Sequence, residues 1–236
     1  MQLQKNHEDL NQMDQFWSDS PLSPYYAKSV TKYGVRGMMD IRGNWTPTTT
    51  GILDKTRSPA SRAKLKNWHK NTPSTQVSSA IQRGIQGHRF LESYFKGESV
   101  TCPPLLQPYW DNLCPKLNFI NNVRLVEGNL FHFYEGYGGR VDLVANWGDI
   151  PCAIEFKFCD RIKPIYDDIP LQLAAYIGAL NRQYGKPDDI QINHALLIVT
   201  TPDETDITLF SPNDVKQYWE TWQTRVAQFW GFLEAA

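Results

Sequence analysis

Three features of the sequence predict an α/β protein in which helices flank a central mixed sheet, with a helical region on its N-terminal side. The periodicity is helical from about Ser58 to Gly97, strand-like from Val123 to Phe158, and then runs helix, strand pair, helix. The 236 residues, 41% hydrophobic and 21% charged, can bury a sizeable core and match globular usage, which excludes a disordered chain, a collagen-like repeat or a disulfide-built mini-domain. The longest wholly apolar run, Ala195–Val199, falls far short of the ~20 residues that cross a membrane, so no membrane partner is expected.

The elements follow in order. Residues 1–20 read as a polar arm. Pro21, Pro24, Gly34, Gly37, Gly43 and Pro47 then punctuate the chain so that only short helices fit there. Ser58 can cap a helix and Pro59 suits its first turn, with Leu65 and Trp68 on one face and Pro73 at its end. A longer helix opens at Ser74 and runs to about Gly97, with Val77, Ile81, Ile85, His88, Leu91, Glu92 and Phe95 along one face. A short helix around Leu105–Leu113 leads into β-type runs at Val123–Glu127, Leu130–Glu135, Arg140–Asn146 and Cys152–Phe158, separated by Gly-Asn, Gly-Gly and Gly-Asp turns. Asp168–Tyr184 is helical and stops at Gly185. An apolar strand, Asn193–Thr200, has a partner at Thr205–Phe210. Ser211-Pro212-Asn213 starts a last helix whose Trp219, Trp222, Val226, Phe229, Trp230 and Leu233 form a core-facing stripe.

Charge is segregated along the chain. Lys28 to Lys96 carries thirteen Lys and Arg against three acids, whereas Thr101 to Ala236 carries ten against seventeen. A basic half beside an acidic half suits a polyanion-binding surface next to a metal site; a merely solvated basic helix pair fits the charge count as well. The cysteines at 102, 114, 152 and 159 form no C-x-x-C pair and read as reduced thiols. Residues 1–20 lack an apolar signal segment and carry Glu8, Asp9, Asp14 and Asp19 against Lys5, so neither a signal nor a transit peptide is expected and the protein reads as cytoplasmic.

The chemistry-bearing segment is Gly138-Gly139-Arg140-Val141-Asp142 followed by Ala153-Ile154-Glu155-Phe156-Lys157. Side chains alternate along a strand, so Glu155 and Lys157 project together while Ile154, Phe156 and Phe158 face the core. A hairpin through Trp147-Gly148-Asp149 brings Asp142 alongside Glu155. Two carboxylates and an ammonium at a sheet edge suit a hard divalent cation and hydrolysis at phosphorus. An acid-x-Lys triplet alone is weak; Asp214-Val215-Lys216 is a second one in this chain, and Glu155/Lys157 can equally be a surface ion pair. His88 and Glu92 lie four apart on one helix, as do Gln172 and Tyr176 on another; a satisfied core histidine and a half-buried polar pair are the competing readings.

Taken in order, Gly84-x-x-x-His88-x-x-Leu91-Glu92, Gly139-x-x-Asp142, Glu155-x-Lys157 and Gln172-x-x-x-Tyr176 resemble the RecB-like branch of the PD-(D/E)XK nucleases. Within it, Pro170–Asn181 and Pro47–Leu53 look like the subgroup of the mitochondrial genome maintenance exonuclease and its bacterial and phage relatives. The resemblance covers roughly residues 45–210.

The resemblance implies a restriction-endonuclease-like core over residues 101–236, forming one compact domain with a basic helical region, 21–100, that contributes His88 and DNA contacts. It implies that His88, Asp142, Glu155 and the Phe156 carbonyl hold Mg²⁺ or Mn²⁺, with no iron–sulfur cluster because no cysteine follows Cys159. Lys157 would position the attacking water, Gln172 would steer the lysine or a phosphate, and Glu92 would orient His88. Tyr176, Thr50, Arg83, Arg89 and Lys64 would contact DNA. The implied activity is metal-dependent exonucleolytic hydrolysis of single-stranded DNA ends, in a bacterial or phage-infected cell. A structure-specific or restriction-type endonuclease and a non-catalytic nucleic-acid-binding module are the alternatives.

Overall fold

Eight strands and six helices make up the described part of the chain, a computed structural model covering residues 21–164, 168–185 and 192–234. The arm expected over residues 1–20 lies outside the described residues. Residues 21–48, where short helices were expected, instead build a three-stranded antiparallel sheet, β1 (Lys28–Lys32), β2 (Val35–Met39) and β3 (Trp45–Pro47). The Gly and Pro residues serve its turns. Tyr33 and Gly34 both adopt positive φ, 54° and 64°, in the two-residue connection between β1 and β2.

Thr48 caps helix α1 (Thr49–Thr56), its hydroxyl accepting from the Gly51 amide at 3.0 Å. The buried Thr49 donates to the Gly138 carbonyl at 3.0 Å, which ties the small sheet to the large one. Helix α2 (Pro59–Asn71) begins as the sequence predicts, with Ser58 accepting from Ser61 and Pro59 in the first turn. It buries no residue: Leu65 and Trp68 are exposed. Helix α3 (Ser74–Phe95) packs through Arg83, Gly87, Phe90 and Leu91, so the expected stripe is rotated and Ile81 and Ile85 face outward. Only its C-terminal half meets the sheet, and the helical period continues regardless of whether a face is covered.

Helix α4 (Gln107–Leu117) leads into the five-stranded sheet, whose order is β4 (Ile120–His132), β5 (Tyr137–Trp147), β6 (Ile150–Phe158), β7 (His194–Thr200), β8 (Thr205–Phe210). All neighbours are antiparallel except β6 and β7, which run parallel because helix α5 (Asp168–Tyr184) crosses between them. Helix α6 (Pro212–Glu234) closes the fold. This is the predicted α/β architecture, a mixed central sheet flanked by helices and consistent with a restriction-endonuclease-like core. Two of the expected turns are not turns: Gly128-Asn129 lies inside β4 and Gly138-Gly139 inside β5, and the chain reverses at residues 133–136, where Gly136 has φ 74°.

Each sheet face carries its own core. On one, Val144, Ala153, Ala195 and Leu197 pack against α5 and the Trp222, Val226 and Phe229 stripe of α6. On the other, Ile154, Phe156, Phe158, Leu196 and Ile198 pack against α3 and α4. Each fully buried side chain of this size stabilises the fold by about 1.5–3 kcal/mol relative to exposure. Among the described residues no helix is long and apolar enough to cross a membrane.

Candidate active site

Strands β5 and β6 pair from Trp147↔Ile150 up to Leu143↔Ile154, and there the ladder opens. Asp142 and Glu155 stand one step beyond that last pair. The Asp142 carboxylate takes over from the missing strand partner, accepting the Phe156 amide at 2.8 Å. On the other side, the register Val126↔Leu143 and Gly128↔Val141 sets Glu127 opposite Asp142. Three carboxylates, Glu127, Asp142 and Glu155, therefore form a row across three adjacent strands. Strands β5 and β6 are interior, so Asp142 and Glu155 lie where the sheet splays, while Glu127 joins them from the edge strand β4.

Helix α3 delivers an imidazole to this row. His88 Nδ1 lies 3.2 Å from Asp142 Oδ1 and 3.4 Å from Glu127 Oε1. The approach depends on Gly87, since a Cβ there would come within 2.4 Å of the Phe158 ring. One atom each from His88, Glu127 and Asp142 lie within 4.8 Å of one another, a spacing that can hold a cation. Glu127 adopts φ 47° within β4, just past the register shift between Asn121 and Leu125. That is a costly conformation for a residue with a Cβ and one that concentrates at functional sites.

Glu155 and Lys157 project to the α5 side of the sheet, opposite Ile154, Phe156 and Phe158, as strand alternation requires. Lys157 Nζ donates to Glu155 Oε1 at 2.5 Å, and Gln172 Nε2 donates to the same oxygen and to the Tyr176 hydroxyl, both at 2.9 Å. Gln172 and Tyr176 reach it from one face of α5, four residues apart. The second Glu155 oxygen, Oε2, is buried with no hydrogen-bond partner among the described residues.

The electrostatics call for positive charge. Burial, and then repulsion from Asp142, push the Glu155 carboxyl up to about 7 despite Lys157 and His88. Burial alone would depress His88, but the hydrogen bonds it donates to Asp142 and Glu127 and the Asp142 and Glu155 charges raise it to about 10. Burial likewise opposes the Lys157 ammonium, and the Glu155 and Asp142 charges outweigh it, so its pKa is raised. Acids held this close with one oxygen unspent fit a divalent cation: the donors are hard oxygens and one imidazole, and the orphaned Oε2 is a lone pair that no protein group uses.

Seven of the residues singled out in the sequence thus meet here: His88, Asp142, Glu155, Phe156, Lys157, Gln172 and Tyr176. Others do not. Glu92, expected to orient His88, pairs instead with Lys96 at 2.6 Å, one turn along the helix surface; the acid beside His88 is Glu127. Arg83, expected as an exposed DNA contact, is buried, donating to the Phe158 carbonyl and to Asp160. Tyr176, which does join the cluster through Gln172, was also named as a DNA contact, and it is 4% exposed and packed on Gly139, where a Cβ would lie 2.4 Å from its ring. Thr50, in the first turn of α1, and the exposed Lys64 and Arg89 make no hydrogen bond to the cluster. Glu127 was missed because nothing in Val126-Glu127-Gly128 marks it; only the strand register does.

Three curated proteins named mitochondrial genome maintenance exonuclease 1 are similar to the chain. That of Mus musculus is 25% identical over 206 residues, covering 80% of this chain and 60% of the relative. That of Xenopus tropicalis is 32% identical over 202 residues, 78% of this chain and 57% of the relative. That of Homo sapiens is 23% identical over 206 residues, 80% of this chain and 59% of the relative. The chain therefore spans less than two thirds of the length of the curated relatives it matches. No protein-family model matches. A solved structure, described as the crystal structure of SSO0001, aligns with a TM-score of 0.39 at 20% identity over 75% of this chain and 74% of that one, too loosely to carry an argument. The three exonuclease-named relatives support a nuclease-like family for this chain.

Proposed function

We propose that the chain is a divalent-metal-dependent nuclease of the RecB-like PD-(D/E)XK type that hydrolyses single-stranded DNA from free ends. The observation that carries this reading is the convergence of His88, Glu127 and Asp142 beside a buried Glu155 with an unspent oxygen and a clasped lysine. The names of the relatives, mitochondrial genome maintenance exonuclease 1, support exonucleolytic action.

His88, Glu127, Asp142 and Glu155 would hold the cation, which supplies Lewis acidity and an acidified water when bound. Lys157 stays an ammonium, because the acids around it raise its pKa. It therefore acts as a charged donor that orients a water or a phosphoryl oxygen and opposes charge building on phosphorus, not as a base. Gln172 fixes the Glu155–Lys157 pair from behind, and Tyr176 fixes Gln172. An unpaired strand would fit beneath helix α3 at the strand opening more readily than a duplex, and the cations of residues 28–96 would supply phosphate contacts.

The test is a time course on end-labelled linear and circular single strands with Mg²⁺, Mn²⁺ or EDTA. Loss of linear strand in Mg²⁺ or Mn²⁺ alone, with circles intact, is expected. Cutting of circles would assign an endonuclease, and tight binding without product under every condition would assign a non-catalytic binder.

A further inference from the structure

The face of α3 that packs on the sheet through Gly87, Phe90 and Leu91 turns polar toward its N-terminal half, where it walls a cavity of about 440 Å³ with Thr75, Gln76, Ser79, Arg83 and Asp160. Arg83 is held rigidly there. Its Nε donates to the Phe158 carbonyl at 3.1 Å, its guanidinium lies 5.3 Å from the Tyr109 ring centroid, and its Nη1 pairs with Asp160 at 2.5 Å. The two partners differ sharply in exposure: the Arg83 side chain is 9% exposed and the Asp160 side chain 75%. The cation is thus built in, while its carboxylate partner stands in solvent and can swing away.

The polar wall is otherwise unspent. The exposed side chains of Thr75, Gln76 and Ser79 make no hydrogen bond among the described residues, and the Arg83 guanidinium, besides Phe158 and Asp160, also interacts with the Tyr109 hydroxyl. Elsewhere in the protein, Thr56, Thr221 and Thr224 return their helical hydroxyls to the carbonyl four residues back, and Ser79 does not.

Burial raises the Cys159 thiol, two residues beyond Lys157 on the chain, against the charges of Arg83, Lys163 and Lys157, which places Arg83 and Lys157 on either side of it. Arg83 precedes His88 by five residues on the same helix, a rise of about 7.5 Å. Both residues also meet Phe158, Arg83 through its carbonyl and His88 with ring centroids 6.4 Å apart, so a strand whose reacting phosphate sits at His88 passes close to Arg83.

We propose that the cavity beside Arg83 is a second backbone-phosphate site, in which Asp160 occupies the guanidinium until a phosphate of the bound strand displaces it. The inference rests on the nuclease reading and deepens it. A guanidinium fork with two adjacent hydroxyls matches a phosphate better than it matches one carboxylate. Asp160 acts as a stand-in anion that keeps Arg83 ordered and discourages unspecific anions.

The test is fluorescence anisotropy of labelled oligothymidylates, with and without a 5′ phosphate, in EDTA across a salt series. Asp160→Asn is expected to bind about two- to fivefold more tightly, the size of one exposed ion pair's competition. Arg83→Gln is expected to lower the slope of log affinity against log salt by about 0.7, one single-strand phosphate contact. A gain common to both oligonucleotides assigns an internal phosphodiester, and one confined to the phosphorylated strand assigns a terminal phosphate; either supports the site. Unchanged affinity in Asp160→Asn, with normal wild-type binding, overturns this inference alone. A wild-type protein that neither binds nor cleaves the strand overturns the nuclease reading and this one with it.

Discussion

Glu127 and Asp142, cross-strand neighbours on β4 and β5, converge on one nitrogen: Nδ1 of His88 is 3.4 Å from the first and 3.2 Å from the second. A histidine of α3 is thereby coupled to a strand residue that no local motif announces. Glu127→Gln is expected to raise the Mg²⁺ concentration for half-maximal activity about 10- to 100-fold, and to shrink the rise in unfolding temperature that Mg²⁺ produces. Glu92→Gln, which removes only the surface pair with Lys96, is expected to leave both measurements unchanged. The reverse outcome would return the role to Glu92.

Lys157→Ala is expected to abolish cleavage, by roughly 10²-fold or more, with the circular dichroism spectrum preserved. Substantial metal-dependent hydrolysis in this variant would remove Lys157 from the chemistry. Lys157→Arg keeps the charge but not the compact ammonium held at Glu155, so weak activity at best is expected.

The metal-free protein is expected to lose stability as pH rises. His88 titrates near 10 in the folded state against 6.5 ordinarily, so its contribution is complete below the lower value and lost as pH passes the higher. Glu155 works in the same direction: burial, then Asp142, lift it from 4.5 to about 7, so the folded protein holds a proton that the unfolded chain releases between those values. Unfolding temperatures in EDTA should fall from about pH 5 to pH 10, and His88→Gln should flatten the upper part of that profile. Because the same proton on His88 competes with a cation, Mg²⁺ affinity should rise with pH. A flat wild-type profile would contradict the His88 geometry.

Gly87→Ala places a methyl against the Phe158 ring and should push α3 off the sheet. A cost of about 1–3 kcal/mol is expected from overcrowding, read by denaturant unfolding. Metal response should weaken too, since His88 is the next residue. Stability lost with an unaltered Mg²⁺ response would show that His88 does not depend on this close approach.

The strand and helix periods, the Ser58 and Thr205–Phe210 boundaries, and the α5 and α6 faces were legible in the chain, because each is set by residues within one or two turns of one another. So was the pairing of Glu155 with Lys157, which alternation alone dictates. The turn signals at Gly128 and Gly138 misled, since both glycines lie within strands: a Cβ at Gly128 would meet Leu125, and one at Gly138 would meet Thr46. The exposed faces of α2 and of the N-terminal half of α3 were invisible for a related reason. Amphipathic spacing says which residues share a side, not whether anything covers it.

What the sequence determined by itself is the α/β order and the identity of the acid, lysine, histidine and glutamine that meet in the cluster. Tertiary structure alone decided that Glu127 joins them, that Glu92 pairs with Lys96 and Arg83 with Asp160, and that the cluster sits where β5 and β6 part. The physical reason is range: helix and strand patterns are short-range properties of the chain, whereas a cross-strand row and a helix laid over it depend on register and on contacts between residues such as Gly87 and Phe158, 71 positions apart.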